Sequence, residues 1–188
     1  MCADSLNHPL SEDRPMRIVL IVLGIIAALV AVVVVIGMML PQNHTASRSA
    51  HLSAPPDAVW VLITDFTRYP EWRKDVTSVE KVESGGAPTW REVSGNDRMT
   101  YEAVVWEAPT HLISRIADKG LPFGGSWDYR LAPEGKGTRI TITENGEVYN
   151  PLFRFVSRYV IGHTATIDKY LKSLSAKFGD TYDPAGGA

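Results

Sequence analysis

The feature that most constrains this chain is an uninterrupted apolar run near its N-terminus, from Ile18 to Leu40. The run contains no charged residue and no side chain that can donate or accept a strong hydrogen bond. At about 1.5 Å per residue it forms a helix of about 35 Å, which is enough to cross the roughly 30 Å hydrocarbon layer of a bilayer. We therefore predict a single-pass membrane protein with one N-terminal transmembrane helix.

A cleaved signal peptide is the main alternative to an anchor. Its apolar region is usually about 7–15 residues long and ends near a cleavage site of small residues. Here the run is longer, and the downstream candidates place His44 and Arg48 where a small residue is needed. Arg14 and Arg17 precede the run closely, so the positive-inside rule favours an extracytoplasmic C-terminal domain.

The composition excludes several classes of function. Nineteen basic residues balance 21 acidic ones without a basic stripe, which argues against a nucleic-acid partner. The single cysteine, Cys2, cannot form an intramolecular disulfide. The five histidines form no HExxH or similar cluster, so we expect no metal site and no cofactor; they are His8, His44, His51, His111 and His163. Neither a phosphate-binding glycine loop nor a G-x-S-x-G motif is present.

The rest of the chain divides into a folded domain with short flanking segments. We predict a polar tail (residues 1–17), the membrane helix (18–40), a linker (41–46), the domain (47–178) and a flexible tail (179–188). Within the domain the patterns predict a strand, two helices, six strands and a long helix. The six strands are Thr77–Glu83, Trp90–Ser94, Met99–Trp106, Leu112–Ala117, Ser126–Leu131 and Thr138–Glu144. The short turns between them predict an antiparallel meander, which the long C-terminal helix can cover.

The alternation of side chains along the strands predicts which of them face inward. The inward set is Met99, Tyr101, Ala103, Val105, Trp127, Tyr129, Leu131, Ile140, Ile142 and Glu144. The same alternation places Trp106 on the outer face, where nothing in the pattern explains an indole.

Three stretches, "SAPPDAVWVLITDFTRYPEW", "GGSWDYRLAPEGKGTRITITE" and "RFVSRYVIGHTATIDKYLKSL", resemble the START/Bet v 1-like superfamily, also called SRPBCC or polyketide cyclase/dehydrase-like. The resemblance covers about residues 47–178. It implies an α+β helix-grip fold, in which a curved antiparallel sheet wraps around a long C-terminal helix. It also implies a cavity between the two that holds an apolar small molecule or lipid. The membrane anchor departs from the freely soluble members of that superfamily.

The predicted helix from Asn150 to Leu174 carries Gly162 and His163 in its middle. The periodicity places His163 on the apolar stripe that faces the sheet. Gly162 costs about 1 kcal/mol relative to alanine in a helix, so we expect it to permit a close approach to a strand or a ligand. His163 is either a core histidine bonded to a strand group or a contact to a bound molecule, with proton transfer as a third possibility.

Glu144 is the second polar side chain predicted to point inward. A buried carboxylate is costly unless it is paired, so it either pairs with Arg154 or another base, or orients the polar head of a ligand. Glu144 and His163 are also the candidate acid and base of an enzyme.

Together these observations give eleven candidate ligand contacts and three hypotheses for function. The candidates are Trp72, Met99, Tyr101, Phe123, Trp127, Tyr129, Glu144, Tyr159, Gly162, His163 and Ile167. For the aromatic candidates, plain core packing is the alternative. The preferred hypothesis is a membrane-tethered module that binds a lipid or other apolar molecule. The alternatives are a cyclase or dehydratase acting on an oxygenated apolar substrate, and a stress or interaction protein that uses Trp106.

Overall fold

The computed structural model describes residues 13–184. Cys2, His8, most of the predicted N-terminal tail and the last four residues lie outside this range. The helices are α1 (Asp13–Met39), α2 (Pro56–Thr64), α3 (Tyr69–Trp72), α4 (Pro151–Val156) and α5 (Ala165–Lys177). The strands are β1 (Asn43–Leu52), β2 (Ser78–Val82), β3 (Thr89–Ser94), β4 (Asp97–Glu107), β5 (His111–Ile116), β6 (Phe123–Glu134) and β7 (Gly137–Val148).

The seven strands form one antiparallel sheet in the order β1-β7-β6-β5-β4-β3-β2. Consecutive strands from β2 to β7 are neighbours, as their short turns predict. Helices α2 and α3 carry the chain from β1 on one edge to β2 on the other. The predicted α+β helix-grip fold is confirmed, with the curved sheet folded around the C-terminal helical segment.

A packed apolar core fills one half of the concave face. Helix α5 buries Ile167, Leu171 and Leu174 completely against the sheet, where they meet strand residues such as Ile140 and Ile142. Full burial of a side chain of this size contributes about 1.5–3 kcal/mol, so this contact fixes α5 to the sheet.

Helix α1 joins the domain almost directly. Strand β1 begins at Asn43, so residues 43–46 of the predicted linker pair with β7 and belong to the sheet. The Arg154 guanidinium donates hydrogen bonds to the carbonyl oxygens of Gly37 (3.4 Å) and Leu40 (3.2 Å). Both carbonyls lie at the C-terminal end of α1, where the regular i+4 donors of a helix run out; Gly37 O also accepts from Leu40 N at 3.3 Å. The end of α1 is therefore bonded to the chain that follows β7.

The prediction of one continuous helix from Asn150 to Leu174 is wrong. The Asn150 side chain accepts hydrogen bonds from the backbone of Leu152 and Phe153 and starts α4 as predicted. After Val156 the chain makes one wide turn of π-helix over Ser157–Ile161. It then leaves the helix at Gly162, where φ is 80° and ψ is 149°.

Backbone conformation, and not a close approach to a strand, requires Gly162. No protein atom lies within 4 Å of the place where a Cβ would stand, so the expected close approach to a strand is wrong. Its φ and ψ belong to a region that is accessible essentially to glycine alone. The break also explains why Tyr159, predicted to face the sheet, is 61% exposed.

The prediction that Trp106 points outward is also wrong. The register between β4 and β5 shifts between Ala103 and Val105. Beyond this bulge Trp106 lies opposite the buried Leu112, so it faces the helices and Val105 faces away. The indole makes edge-to-face contacts with Trp60 at 5.6 Å and Phe66 at 6.0 Å between ring centroids.

We expect Gly162→Ala to lower the free energy of unfolding by about 1–3 kcal/mol, because alanine must adopt a disfavoured φ and ψ although it has room. The matched control is Gly85→Ala, which also has open space around it but no positive φ. Urea denaturation of the detergent-solubilised chain measures both variants. Equal stability of the two variants would contradict this role for Gly162.

Candidate ligand cavity

A cavity of about 480 Å³ lies between the concave face of the sheet and the chain from α4 to the start of α5. Eight of the eleven predicted contacts line it, and the strand alternation accounts for most of them. They are Met99, Tyr101, Phe123, Trp127, Tyr129, Glu144, Gly162 and His163. The space remains open because α5, which fills the other half of the sheet, begins only at Ala165.

The other three candidates lie elsewhere. Ile167 is fully buried, and Trp72 packs edge-to-face on Tyr170 with ring centroids 5.3 Å apart, so both belong to the core. Tyr159 is exposed and lies outside the cavity, because the helix breaks at Gly162. None of these three residues lines the cavity.

Ten lining residues that matter for the geometry were not predicted. They are His44, Arg73, Trp90, Glu92, Ser114, Phe153, Val156, Ser157, Ile161 and Thr166. Trp90 and Glu92 were recoverable, since they alternate on one face of a predicted strand. His44 was hidden because residues 43–46 carried no visible strand pattern.

A polar cluster around Arg73 forms one wall of the cavity. The Arg73 guanidinium is held by Asp75 and Glu92, each at 3.0 Å. It also lies over the rings of Tyr69 and Tyr170, at 4.8 and 5.2 Å from their centroids. Burial alone would lower the pKa of Arg73, but Glu92 and its other neighbours raise it, so the group stays charged.

The hydrogen-bonding capacity of this cluster is not exhausted. Trp90 Nε1 donates to Glu92 Oε1 at 3.0 Å, whereas Arg73 Nε has no hydrogen-bond partner among the described residues. A buried guanidinium nitrogen without a partner is costly. Since Arg73 and Glu92 both line the cavity, a bound molecule can meet a donor and an acceptor here.

A second cluster brings His44, Glu144 and His163 together from three parts of the chain. The two imidazole rings stack with centroids 3.9 Å apart and an angle of 24°. His44 Nε2 lies 3.4 Å from Glu144 Oε1, and His163 Nδ1 lies 3.3 Å from the Ser157 hydroxyl. The His44 ring sits over Gly146, where a Cβ would overlap it.

The protonation states of this cluster follow from its burial. Burial lowers the pKa of His44, and burial together with the nearby His44 and Arg158 lowers the pKa of His163. Burial raises the pKa of Glu144. At neutral pH the imidazoles are therefore uncharged, and the close approach of His44 to Glu144 is a polar contact without a full ion pair.

The pairing of Glu144 with Arg154 did not form. The Arg154 guanidinium instead donates to the carbonyl oxygens of Val148 at 2.8 Å and Tyr149 at 2.9 Å, in addition to those at the end of α1. Between residues 13 and 184, no three His, Cys, Asp or Glu side chains are grouped so that they could hold a metal ion.

The fold and the cavity together define a helix-grip protein of the ligand-binding type. A family model agrees: the chain belongs to the family described as "Polyketide cyclase / dehydrase and lipid transport", whose model matches residues 43–179. The match begins at the first residue of β1 and leaves α1 outside. No curated protein matches the chain.

Solved structures show the same fold at low sequence identity. A START superfamily protein from Mycobacterium smegmatis has a TM-score of 0.56 at 15% identity over 72% of this chain and 97% of its own. A protein from Thermus thermophilus has a TM-score of 0.59 at 22% identity, covering 72% and 97%. A norcoclaurine synthase from Thalictrum, in complex with a transition-state analogue, has a TM-score of 0.57 at 11% identity, covering 72% and 94%.

We expect the free energy of unfolding to fall as the pH drops below 6.5, the ordinary pKa of histidine. Unfolded imidazoles take up protons there while His44 and His163 stay neutral in the fold, so the unfolded state binds more protons. The double variant His44→Phe and His163→Phe keeps two stacked rings without titration and should lose less stability. Urea denaturation at neutral pH and at about pH 5.5 measures the difference. The raised pKa of Glu144 increases stability as the pH falls, which is the opposite effect, but Glu144 is present in both the wild type and the double variant. An equal loss of stability in the wild type and the double variant would contradict the assignment of this pH dependence to His44 and His163.

Proposed function

We propose that this protein is a membrane-tethered binding module that holds a lipid or other apolar small molecule between its sheet and its C-terminal segment. The observation that carries the proposal is the cavity, whose volume of about 480 Å³ lies in the range of small-molecule sites. Most of its lining surface is apolar, and the Arg73 cluster and the His44–Glu144–His163 cluster supply polar groups. That is the lining expected of a site for an apolar ligand.

The length and composition of α1 support the proposal that the domain is tethered to a membrane. Arg14–Met39 is long and apolar enough to cross a membrane, and the family description includes lipid transport. A signal sequence near the N-terminus can have a similar length and composition. We propose an anchor because this apolar run is longer than the apolar region of a usual signal peptide. The preceding Arg14 and Arg17 favour an extracytoplasmic domain.

The Arg73 cluster indicates which polar group the ligand carries. One guanidinium faces two carboxylates there, Asp75 and Glu92, so a ligand carboxylate would meet net negative charge. A neutral hydroxyl can accept from Arg73 and donate to Glu92, and a carbonyl can accept from Arg73. We therefore propose an amphipathic ligand with a neutral oxygen at this wall and an apolar remainder.

Native mass spectrometry of the purified chain tests the proposal. We expect a co-purifying apolar molecule with a hydroxyl or carbonyl oxygen. The variant Val156→Trp should lose most of it, because Val156 lines the cavity and the indole occupies the space. The matched control is Val61→Trp on α2, at an exposed position away from the cavity, which should keep the molecule. Ligand-free wild-type protein in every preparation, or full occupancy in Val156→Trp, would refute the binding function.

A second candidate is a dehydratase or cyclase, and the histidine cluster is what favours it. Glu144 and His163 line the same cavity, and their environments shift their pKa values toward a neutral imidazole and a protonated carboxyl. In the elimination of water from a 3-hydroxycarbonyl compound, His163 would accept the proton from carbon 2. Glu144 would donate its proton to the departing hydroxyl as the C=C bond forms.

The enzyme reading predicts that Glu144→Gln slows dehydration of a 3-hydroxyacyl thioester by roughly 10²–10⁴-fold, because the amide cannot donate that proton. The control Glu107→Gln changes an exposed carboxylate outside the cavity and should leave the rate unchanged. Absence of turnover in the wild type, or equal rates in the two variants, would leave binding as the function. The interaction hypothesis still depends on Trp106 alone, whose indole packs on Trp60 and Phe66 and is 42% exposed.

A further inference from the structure

The exposed apolar side chains of the domain are concentrated in one segment. Among the described residues after α1, nine large hydrophobic side chains are exposed, and six of them lie within residues 149–161. The six are Tyr149, Leu152, Phe153, Tyr159, Val160 and Ile161. An apolar patch of this kind marks a contact with a membrane, a protein or a ligand. We call these six residues the apolar cap.

The apolar cap belongs to the part of the domain that packs on α1. Each residue of α1 from Arg14 to Val32 is exposed, whereas Gly37 is buried and its last two turns are partly covered. The covering element is α4. A Cβ on Gly37 would overlap the carbonyl of Pro151, so the two helices touch through their backbones.

The length of α1 then decides where the cap lies. The apolar stretch of α1 in which every residue is exposed, Ile18–Val32, has 15 residues and measures about 22 Å. This is too short for the roughly 30 Å hydrocarbon layer. To cover the bilayer, the span must include the last two turns of α1, about 10 Å long. Because α4 lies against those turns, the bilayer must also reach α4.

The side chains of the cap suit that depth. Val160 and Ile161 are 72% and 60% exposed, which would be unfavourable in water but favourable against acyl chains. The cap also contains the amphipathic rings of Tyr149 and Tyr159, and the exposed Arg158, next to Tyr159 in the chain, adds a cation. Tyrosine is enriched at the membrane–water boundary, and arginine extends its charge toward the headgroups.

We infer that the apolar cap lies in the lipid bilayer as a second membrane contact beside α1, and that the cavity opens toward the acyl chains there. Phe153 and Ile161 belong to the cap and also line the cavity. A ligand can therefore pass between bilayer and cavity without crossing water. This inference rests on the tether of the proposed function.

The test uses the full chain in a Cys2→Ser background, reconstituted into phosphatidylcholine vesicles. Single cysteines at three positions carry an environment-sensitive fluorophore. Val160→Cys reports on the cap, Ala28→Cys on the middle of α1, and Val61→Cys is the control, since Val61 is 61% exposed on α2. Brominated phosphatidylcholine is the quencher. We expect a blue-shifted emission and loss of most of the fluorescence at positions 160 and 28, and neither effect at 61.

Each other outcome overturns the inference in a recognisable way. Quenching at 28 but not at 160 places the cap in water while the tether stands. No quenching at 28 removes the tether and the cap contact together. A blue shift at 160 that brominated lipid does not quench, and that grows with protein density, assigns the cap to a second copy of the chain. Native mass spectrometry of the same preparation reports separately whether the cavity holds a ligand.

Discussion

The break in the C-terminal helix at Gly162 is the constraint on which the rest of the structure depends. A continuous helix would lay its apolar stripe along the whole concave sheet and fill it. With φ at 80° and ψ at 149°, the chain instead divides into α5, which seals one half of the sheet, and α4, which turns toward α1. The cavity is the space under the break. Its existence therefore depends on one backbone conformation that only glycine adopts readily.

Two polar clusters distinguish the lining of this cavity from that of an ordinary apolar core. Replacing a buried ion pair such as Arg73–Glu92 by hydrophobic residues is often neutral or stabilising, so stability is a weak reason for it to be here. The second cluster places two stacked imidazoles, His44 and His163, beside the Glu144 carboxyl, where apolar side chains could pack without polar groups. Both clusters face the cavity. Under the proposed binding function, both clusters can contact polar atoms of a bound molecule, which gives a reason for their position.

Patterns within single segments of the sequence predicted the features that depend on neighbouring residues alone, such as the direction of side chains along a strand. Alternation along single strands placed Trp127 and Glu144 on the cavity side, since side-chain direction in a strand has a period of two. Two of the failures depended on a distant partner. Trp106 was misplaced because a bulge is visible only against the neighbouring strand. His44 was missed because residues 43–46 show no strand pattern by themselves and form a strand only by pairing with β7, where Gly146 lies opposite His44. The helix break at Gly162 was missed for a local reason, since the apolar periodicity is strong on both sides of it.

The connection between α1 and the domain limits how a tethered form of this protein can work. Only Leu40, Pro41 and Gln42 separate α1 from β1. The Arg154 guanidinium bonds the end of α1 to the chain after β7, and Gly37 holds α4 in backbone contact. A flexible linker would let the domain swing away from the bilayer with its cargo. Here the cavity keeps a fixed position relative to α1, because moving away would break these contacts. For the tethered form proposed above, this geometry favours a stationary site over a carrier that travels between membranes.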